Sequence, residues 1–243
     1  MPISRTAPPS PPVAPLGRRE RLRAEAITQI KAAALEQVRA DGAGAVSLRG
    51  VARAVGMSSP GLYRYYASRD ELLTQLISDA YDDLTAALVA ARERAGPDLR
   101  DRLRAVALAY FDWAEGHMSE WSLVFGSPVP GYDAPAGGPT TQAARRFGVV
   151  FTDLVAEGWD GCPASFASPP VLPRKPGGVL DLGGRELPDD PRFFGVVSRL
   201  WSRLHGVIAL GLLGHLLPAT LAPESVRTLY EAEVDDQLHV LGL

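Results

Sequence analysis

Cysteine is almost missing from this chain: Cys162 stands alone among 243 residues. An intramolecular disulfide is therefore excluded, which fits a reducing compartment and sets the expected localisation as cytoplasmic. The N-terminus lacks the apolar core of a signal peptide. Thr6 to Leu16 is mostly Pro, Ala and Ser, so residues 1–17 read as a disordered tail. Long apolar runs are missing too. The longest, Leu204 to Leu217, holds 14 residues and includes His205 and His215, too short to span a bilayer. A soluble protein with no membrane partner is expected. Catalytic signatures are equally scarce, with neither a Gly-x-Ser-x-Gly elbow nor a phosphate loop. His117, His205, His215 and His239 lack metal-ligand spacing with one another or with Cys162. The expectation is a protein that is not an enzyme and uses no metal or cofactor. Strand signals are confined to one candidate, Gly178 to Leu182.

What is present is a charge asymmetry. The net charge is −3, but residues 1–70 hold eleven bases against five acids, about +6, and the rest holds fourteen against 23, about −9. A basic head on an acidic body fits a nucleic-acid-binding segment joined to a domain with another task.

Residues 47–71 lie in that basic third and read as a helix-turn-helix. Ser47 is an N-cap, and Leu48, Val51, Ala52 and Val55 share one apolar helical face. Gly56 falls where a left-handed turn ends that helix. Ser58 caps again, and Pro60 occupies the first turn, where its missing N–H costs nothing. The second helix, Pro60 to Tyr66, is short and carries three tyrosines and an arginine. Ser68-Arg-Asp-Glu71 is a capping box opening a longer helix. A short aromatic second helix after a glycine turn is the element that enters a DNA major groove.

From about Ile27 to Ile77 this stretch resembles the DNA-binding domain of the TetR family of bacterial transcriptional regulators. The ordered series carries the resemblance: an apolar first helix, Ser-Leu-Arg-x-Val-Ala-x-x-Val-Gly-Met-Ser, Gly-Leu-Tyr-Arg-Tyr-Tyr, and Ser-Arg-Asp-Glu-Leu-Leu. It implies an all-α fold of about nine helices. Residues 18–67 would form the DNA-binding domain and 68–243 a helical effector-binding and dimerisation domain. The implied partners are double-stranded operator DNA, a second copy of the chain, and a small-molecule effector of unknown identity. Arg49 matches a base-contacting position, where an arginine pairs bidentately with guanine; a surface salt bridge is its alternative. Ser59, Pro60 and Gly61 match the exposed start of the recognition helix, and readout at Gly61 must fall to its neighbours. Tyr63, Arg64 and Tyr65 match backbone or base-edge contacts. Arg69 matches a phosphate contact, and Ser47 and Ser58 can donate hydroxyls to phosphate while capping. Leu62 and Tyr66 are expected to pack inward. Arg18, Arg19, Arg21 and Arg23 cluster at the start of the first helix, either as DNA contacts or as a solvated helix end.

Helical periods continue through the body. Arg18 to Arg39 places Ile27, Ile30, Ala34 and Val38 inward, and Ser68 to Ala95 does so with Leu72, Leu73, Leu76, Ile77, Tyr81, Leu84 and Leu88. Asp98 caps a helix carrying Leu103, Val106, Tyr110 and Trp113. A short aromatic helix, Ser119 to Phe125, precedes a Pro/Gly connection, and Thr140 to Trp159 returns to helix. Residues 161–191, with seven prolines and five glycines, read as an irregular excursion. Two apolar helices follow, Pro191 to Leu217 and one opening at Pro223-Glu224. Their apolar faces predict a four-helix dimer interface, with Gly206, Gly211 and Gly214 admitting a partner backbone. Trp201-Ser-Arg-Leu-His205-Gly206 resembles the Trp-x-x-x-His-Gly motif of one TetR C-terminal subgroup, as does the run from Tyr110 to Met118. Tyr110, Trp113, Trp121, Phe125, Phe147, Phe151, Trp201 and His205 are the candidate ligand-pocket residues, with ordinary core packing as their alternative. The function this implies is a homodimeric repressor released from a roughly palindromic operator by a small, largely apolar ligand. The alternative is a constitutive or architectural DNA-binding protein without an effector.

Overall fold

The computed structural model describes residues 17–161, 163, 171–172, 186–216, 222 and 224–243. The Pro-rich tail to residue 16, the Gly178 to Leu182 candidate strand and most of the 161–191 excursion lie outside those residues. Among the described residues there are nine α-helices, one 3-10 turn and no strand. The helices are α1 Arg18–Asp41, α2 Leu48–Ala54, α3 Ser59–Leu62, α4 Arg69–Arg94, α5 Leu99–Gly116, α6 Met118–Phe125, α7 Pro139–Glu157, α8 Phe193–Leu212 and α9 Glu224–Val240. No described helix is long and apolar enough to cross a membrane.

Two apolar cores organise the chain. The head core joins Ile30, Ala34 and Val38 of α1, Leu48, Val51 and Ala52 of α2, Leu62 and Tyr66 around α3, and Leu72, Leu73, Leu76 and Ile77 of α4. Helix periodicity places nearly all of these inward; Ala26, not Ile27, is the buried residue one turn before Ile30. The head core therefore runs past residue 67 through two turns of α4, and Leu123 of α6 and Val129 beyond it belong to it as well. The body core gathers Leu84 and Leu88, the inner faces of α5 and α7, and Phe193, Leu200, Leu204, Ile208, Tyr230 and Leu238. Buried Tyr230 donates to the Ala107 carbonyl at 2.8 Å, tying α9 to α5. Arg92 on α4 pairs with Asp153 on α7 at 2.9 Å, and Arg102 on α5 grips Glu157 at the end of α7.

Helix ends follow their local chemistry. Ser47, Ser58, Ser68 and Asp98 each accept a backbone N–H of the following first turn. The carboxylate of Glu71 reaches back to the Ala67 N–H at 2.7 Å, one residue before the N-cap, so the box at Ser68 is offset by one. Helix α8 stops at Leu212, earlier than the apolar run to Leu217 predicts. Gly214 adopts φ +70°, and the His215 N–H returns to the Leu210 carbonyl at 2.8 Å, a Schellman ending. A left-handed glycine outweighs continuing hydrophobicity because the helix gains two backbone bonds there.

Candidate nucleic-acid interface and effector pocket

The reading head is built around two glycines. Gly56 turns the chain at φ +68°, and the Met57 N–H closes back on the Ala52 carbonyl at 2.9 Å. Gly50 lets α2 press onto α1: a Cβ there would lie 2.8 Å from the Gln37 amide nitrogen. The same Gln37 side chain accepts from the Ser47 N–H at 3.0 Å, fixing where α2 begins. Helix α3 is a single regular turn, shorter than Pro60 to Tyr66. Its backbone bonds nevertheless continue, with the Tyr65 and Tyr66 N–H groups both returning to the Leu62 carbonyl. Leu62 and Tyr66 are buried, as their spacing predicts.

The expected contact residues fall into three groups. Arg49, Pro60, Tyr63 and Arg64 are exposed, Tyr63 at 50% of its surface, and Ser59, Gly61 and Tyr65 are half-buried beside them. Ser47 and Ser58 are exposed while their oxygens cap α2 and α3. A Cβ on Gly61 would sit 3.1 Å from the Ser58 oxygen, so glycine keeps that cap tight. Arg69 is half-buried and engaged within the head. Its guanidinium donates to the carbonyls of Val46, Ala43 and Gly44 at 2.9, 3.2 and 3.1 Å. A planar fork suits three converging carbonyls, and Arg69 locks the loop between α1 and α2 to the start of α4. No local pattern signals this role, because the acceptors are backbone atoms 23 to 26 residues away.

In the body, four of the eight candidate pocket residues line one cavity. Phe125, Phe147, Phe151 and Trp201 surround about 320 Å³, with Ala144, Gly148, Thr152 and Val197 completing the wall. Gly148 and Val197 were missed, since neither is aromatic; the i, i+3 and i, i+4 spacing from Phe151 and Trp201 is the signal that finds them. Tyr110 and His205 stand in the same ring cluster. Tyr110 stacks on Trp201 with centroids 5.2 Å apart, and its hydroxyl and His205 Nδ1 share a hydrogen bond of 2.8 Å. The satisfied core histidine, rather than a free ligand donor, describes His205 at this nitrogen. Burial lowers the His205 pKa below its ordinary value and pushes the Tyr110 phenol far above its own, so both are neutral near pH 7. Trp121 stacks on His205 at 5.7 Å. Its indole nitrogen is buried beside the Tyr110 hydroxyl without completing a hydrogen bond. Trp113 is elsewhere: it donates to Asp83 at 2.7 Å and stacks on His117.

Gly211 has a role within the chain. A Cβ there would lie 2.5 Å from Val226, so this glycine admits α9 of the same chain. Gly214 serves the α8 ending, and a Cβ on either Gly206 or Gly214 would meet nothing within 4 Å.

Comparison with known proteins matches the head and the helical body to two family descriptions. The family described as bacterial regulatory proteins, tetR family, matches residues 30–76. The family described as tetracyclin repressor-like, C-terminal domain, matches residues 103–237 and so spans both the Tyr110 run and Trp201 to Gly206. HTH-type transcriptional regulators of Mycobacterium tuberculosis and Mycobacterium bovis are each 35% identical over 202 residues, 82% of this chain and 86% of theirs. The crystal structure of SCO4313, a proposed regulatory protein, is 36% identical with a TM-score of 0.70, covering 92% of this chain and 100% of that one. The TetR family regulator PfmR of Thermus thermophilus shares the fold at 16% identity, with a TM-score of 0.56 over 87% of this chain and 97% of its own. With both halves matched in order and the reading helix presented to solvent, the chain belongs to the TetR family: it is a DNA-binding transcriptional regulator, a non-enzymatic class.

Proposed function

We propose that this protein is a homodimeric repressor acting in the cytoplasm, released from a roughly palindromic operator by a small, uncharged, largely apolar molecule. The observation that carries the reading is the position of α6. Its Phe125 forms part of the wall of the 320 Å³ cavity, while its Leu123 is buried in the head core. A molecule that displaces the Phe125 ring pushes on the helix that supports the head. Aromatic walls and the neutral Tyr110–His205 pair favour an uncharged occupant. Dimerisation is supported by Leu210, Leu213 and Leu229 on α8 and α9 and in the turn after α8, which expose 45%, 61% and 41% of their surface. Arg49, Ser59, Pro60 and Tyr63 would read the major groove, with Ser47, Ser58, Arg64 and Tyr65 on phosphates.

A ligand moves the equilibrium only by its different affinity for the two states, so coupling is reciprocal. The test is a library of neutral apolar compounds screened by thermal shift, each hit then titrated with and without an operator obtained by in vitro selection. An inducer binds more weakly in the presence of operator by the factor that it weakens DNA binding. Equal affinity in both titrations for every hit would reject the inducible reading. The runner-up, a constitutive DNA binder, draws support from the mutual stacking of Tyr110, Trp201 and His205, which packs α5 against α8.

A further inference from the structure

Three arginines that the reading head leaves unused converge with a fourth on one groove. Arg18, Arg19 and Arg23 from the start of α1 and Arg64 beyond α3 line a cleft of about 600 Å³ together with Leu22 and Tyr65. Among the described residues none of the four makes a salt bridge, and all four are exposed. Arg23 is held in place by its packing over the Tyr65 ring, 5.3 Å from the centroid. The one acid at this helix start, Glu20, spends an oxygen on the Gly17 N–H at 2.9 Å.

The local energetics run against this arrangement. A helix N-terminus carries partial positive charge and is stabilised by anions, and cations there are unfavourable. Arg18 and Arg19 nevertheless occupy the first two positions of α1. Folding does not explain two cations there beside Arg23 on the same helix and Arg64 across the cleft, whereas a polyanion does. The cleft also opens beside the turn that carries Tyr63 and Arg64, so whatever fills the cleft lies next to whatever α3 reads.

We propose that the groove of Arg18, Arg19, Arg23 and Arg64 holds the sugar-phosphate backbone of duplex DNA flanking the base pairs read by α3. The inference rests on the head being a DNA reader and extends its footprint. The groove adds affinity without sequence preference, because guanidinium groups on phosphates neutralise charge and release counterions whatever the bases are.

The test uses the full-length protein and a random-sequence 30-bp duplex, with affinity followed by fluorescence anisotropy across a KCl series. In the variant carrying Arg18→Gln and Arg19→Gln, the slope of log affinity against log salt becomes shallower by about 2 for each head engaged. That amounts to roughly tenfold less affinity lost between 50 and 200 mM salt per head. The variant with lysine at both positions restores the slope. The melting temperature of the glutamine variant stays level or rises, since two like charges leave a positive helix end, so stability and DNA affinity move in opposite directions. An unchanged slope, or a lowered melting temperature with that slope, overturns the groove assignment while leaving the DNA reader standing. Wild-type protein that binds neither the random duplex nor any selected one overturns the reader itself. Loss of binding to phosphatidylserine vesicles with an unchanged duplex slope would assign the groove to an anionic membrane surface instead.

Discussion

Trp121 and Leu123 are two positions apart on α6 and lie in different cores: Trp121 among the rings of the body, Leu123 under the head. A helix of eight residues thus touches α1 and α4 on one side and α5 on the other. The connection after it continues the joint, with Val129 in the head core and the Tyr132 hydroxyl 3.0 Å from that of Thr74 on α4. Helix α4 joins head and body covalently, and α6 joins them through packing; in the proposed switch both would act as levers. Leu123→Ala removes a buried side chain at the joint and should cost about 2 to 5 kcal/mol, as core leucines do. Its particular signature is ligand binding retained in the body with reduced coupling to DNA. Calorimetry and paired titrations check this; a variant with full wild-type coupling would leave α4 as the lever on its own.

Arg49 and Arg69 should separate cleanly. Arg69→Ala removes three charge-assisted bonds to the 43–46 loop and should cost roughly 1 to 3 kcal/mol of stability, the partial exposure keeping it at the lower end. Its salt dependence on DNA should stay as in the wild type. Arg49→Ala should leave the melting temperature alone and cost about 1 to 3 kcal/mol of binding, with preference blurred at one operator position. A stable Arg69→Ala with a shallower salt slope would return that residue to the phosphate.

Gly148 offers a way to close the pocket without touching the rings. It lies inside α7 on the cavity wall, and a Cβ there meets nothing within 4 Å. Gly148→Ala should stabilise the helix by roughly 0.5 to 1 kcal/mol. Gly148→Leu should fill the opening, abolish the ligand response and keep operator binding. If Gly148→Leu still releases DNA on ligand addition, the effector binds somewhere else.

Leu213→Glu and Leu229→Glu test the dimer. Both side chains are largely exposed in the single chain, so a charge costs the fold little. Sedimentation velocity at micromolar concentration should show monomers with operator affinity lost together. Leu238 lies on the opposite face of α9, with Tyr230 and Val234, and is 3% exposed in the core, so Leu238→Glu should unfold the body instead. A wild type that sediments as a monomer would remove the twofold reading altogether.

Stability should depend on His205. Its folded pKa lies below the ordinary value because burial penalises the charged ring. The unfolded chain therefore binds the proton more readily, and the stability that His205 contributes is complete above pH ~6.5 and is lost as pH falls through the lowered folded value. Thermal melts between pH 8 and 5 should show this decline, and it should be weaker in His205→Asn. A flat profile in the wild type would mean that the ring stays neutral or solvated in both states.

Caps, periodicities and the Gly56 turn were legible residue by residue, because a helix start or stop depends on atoms within about four positions. Leu62 and Tyr66 inward, Tyr63 and Arg64 outward, and the capping oxygens of Ser47 and Ser58 all follow from that local chemistry. The chain order also sufficed to show the family, since the reading head is a continuous segment. Tertiary structure decided what depends on distant partners. The donors of Arg69 find carbonyls more than twenty residues away, Gly211 yields to Val226 of α9, and α6 divides its two faces between two cores. Of the aromatic residues, only those whose neighbours leave a gap became cavity wall, and that gap is a property of how α6, α7 and α8 meet. Hydrophobic spacing names the side that is buried; only packing chooses what it is buried against.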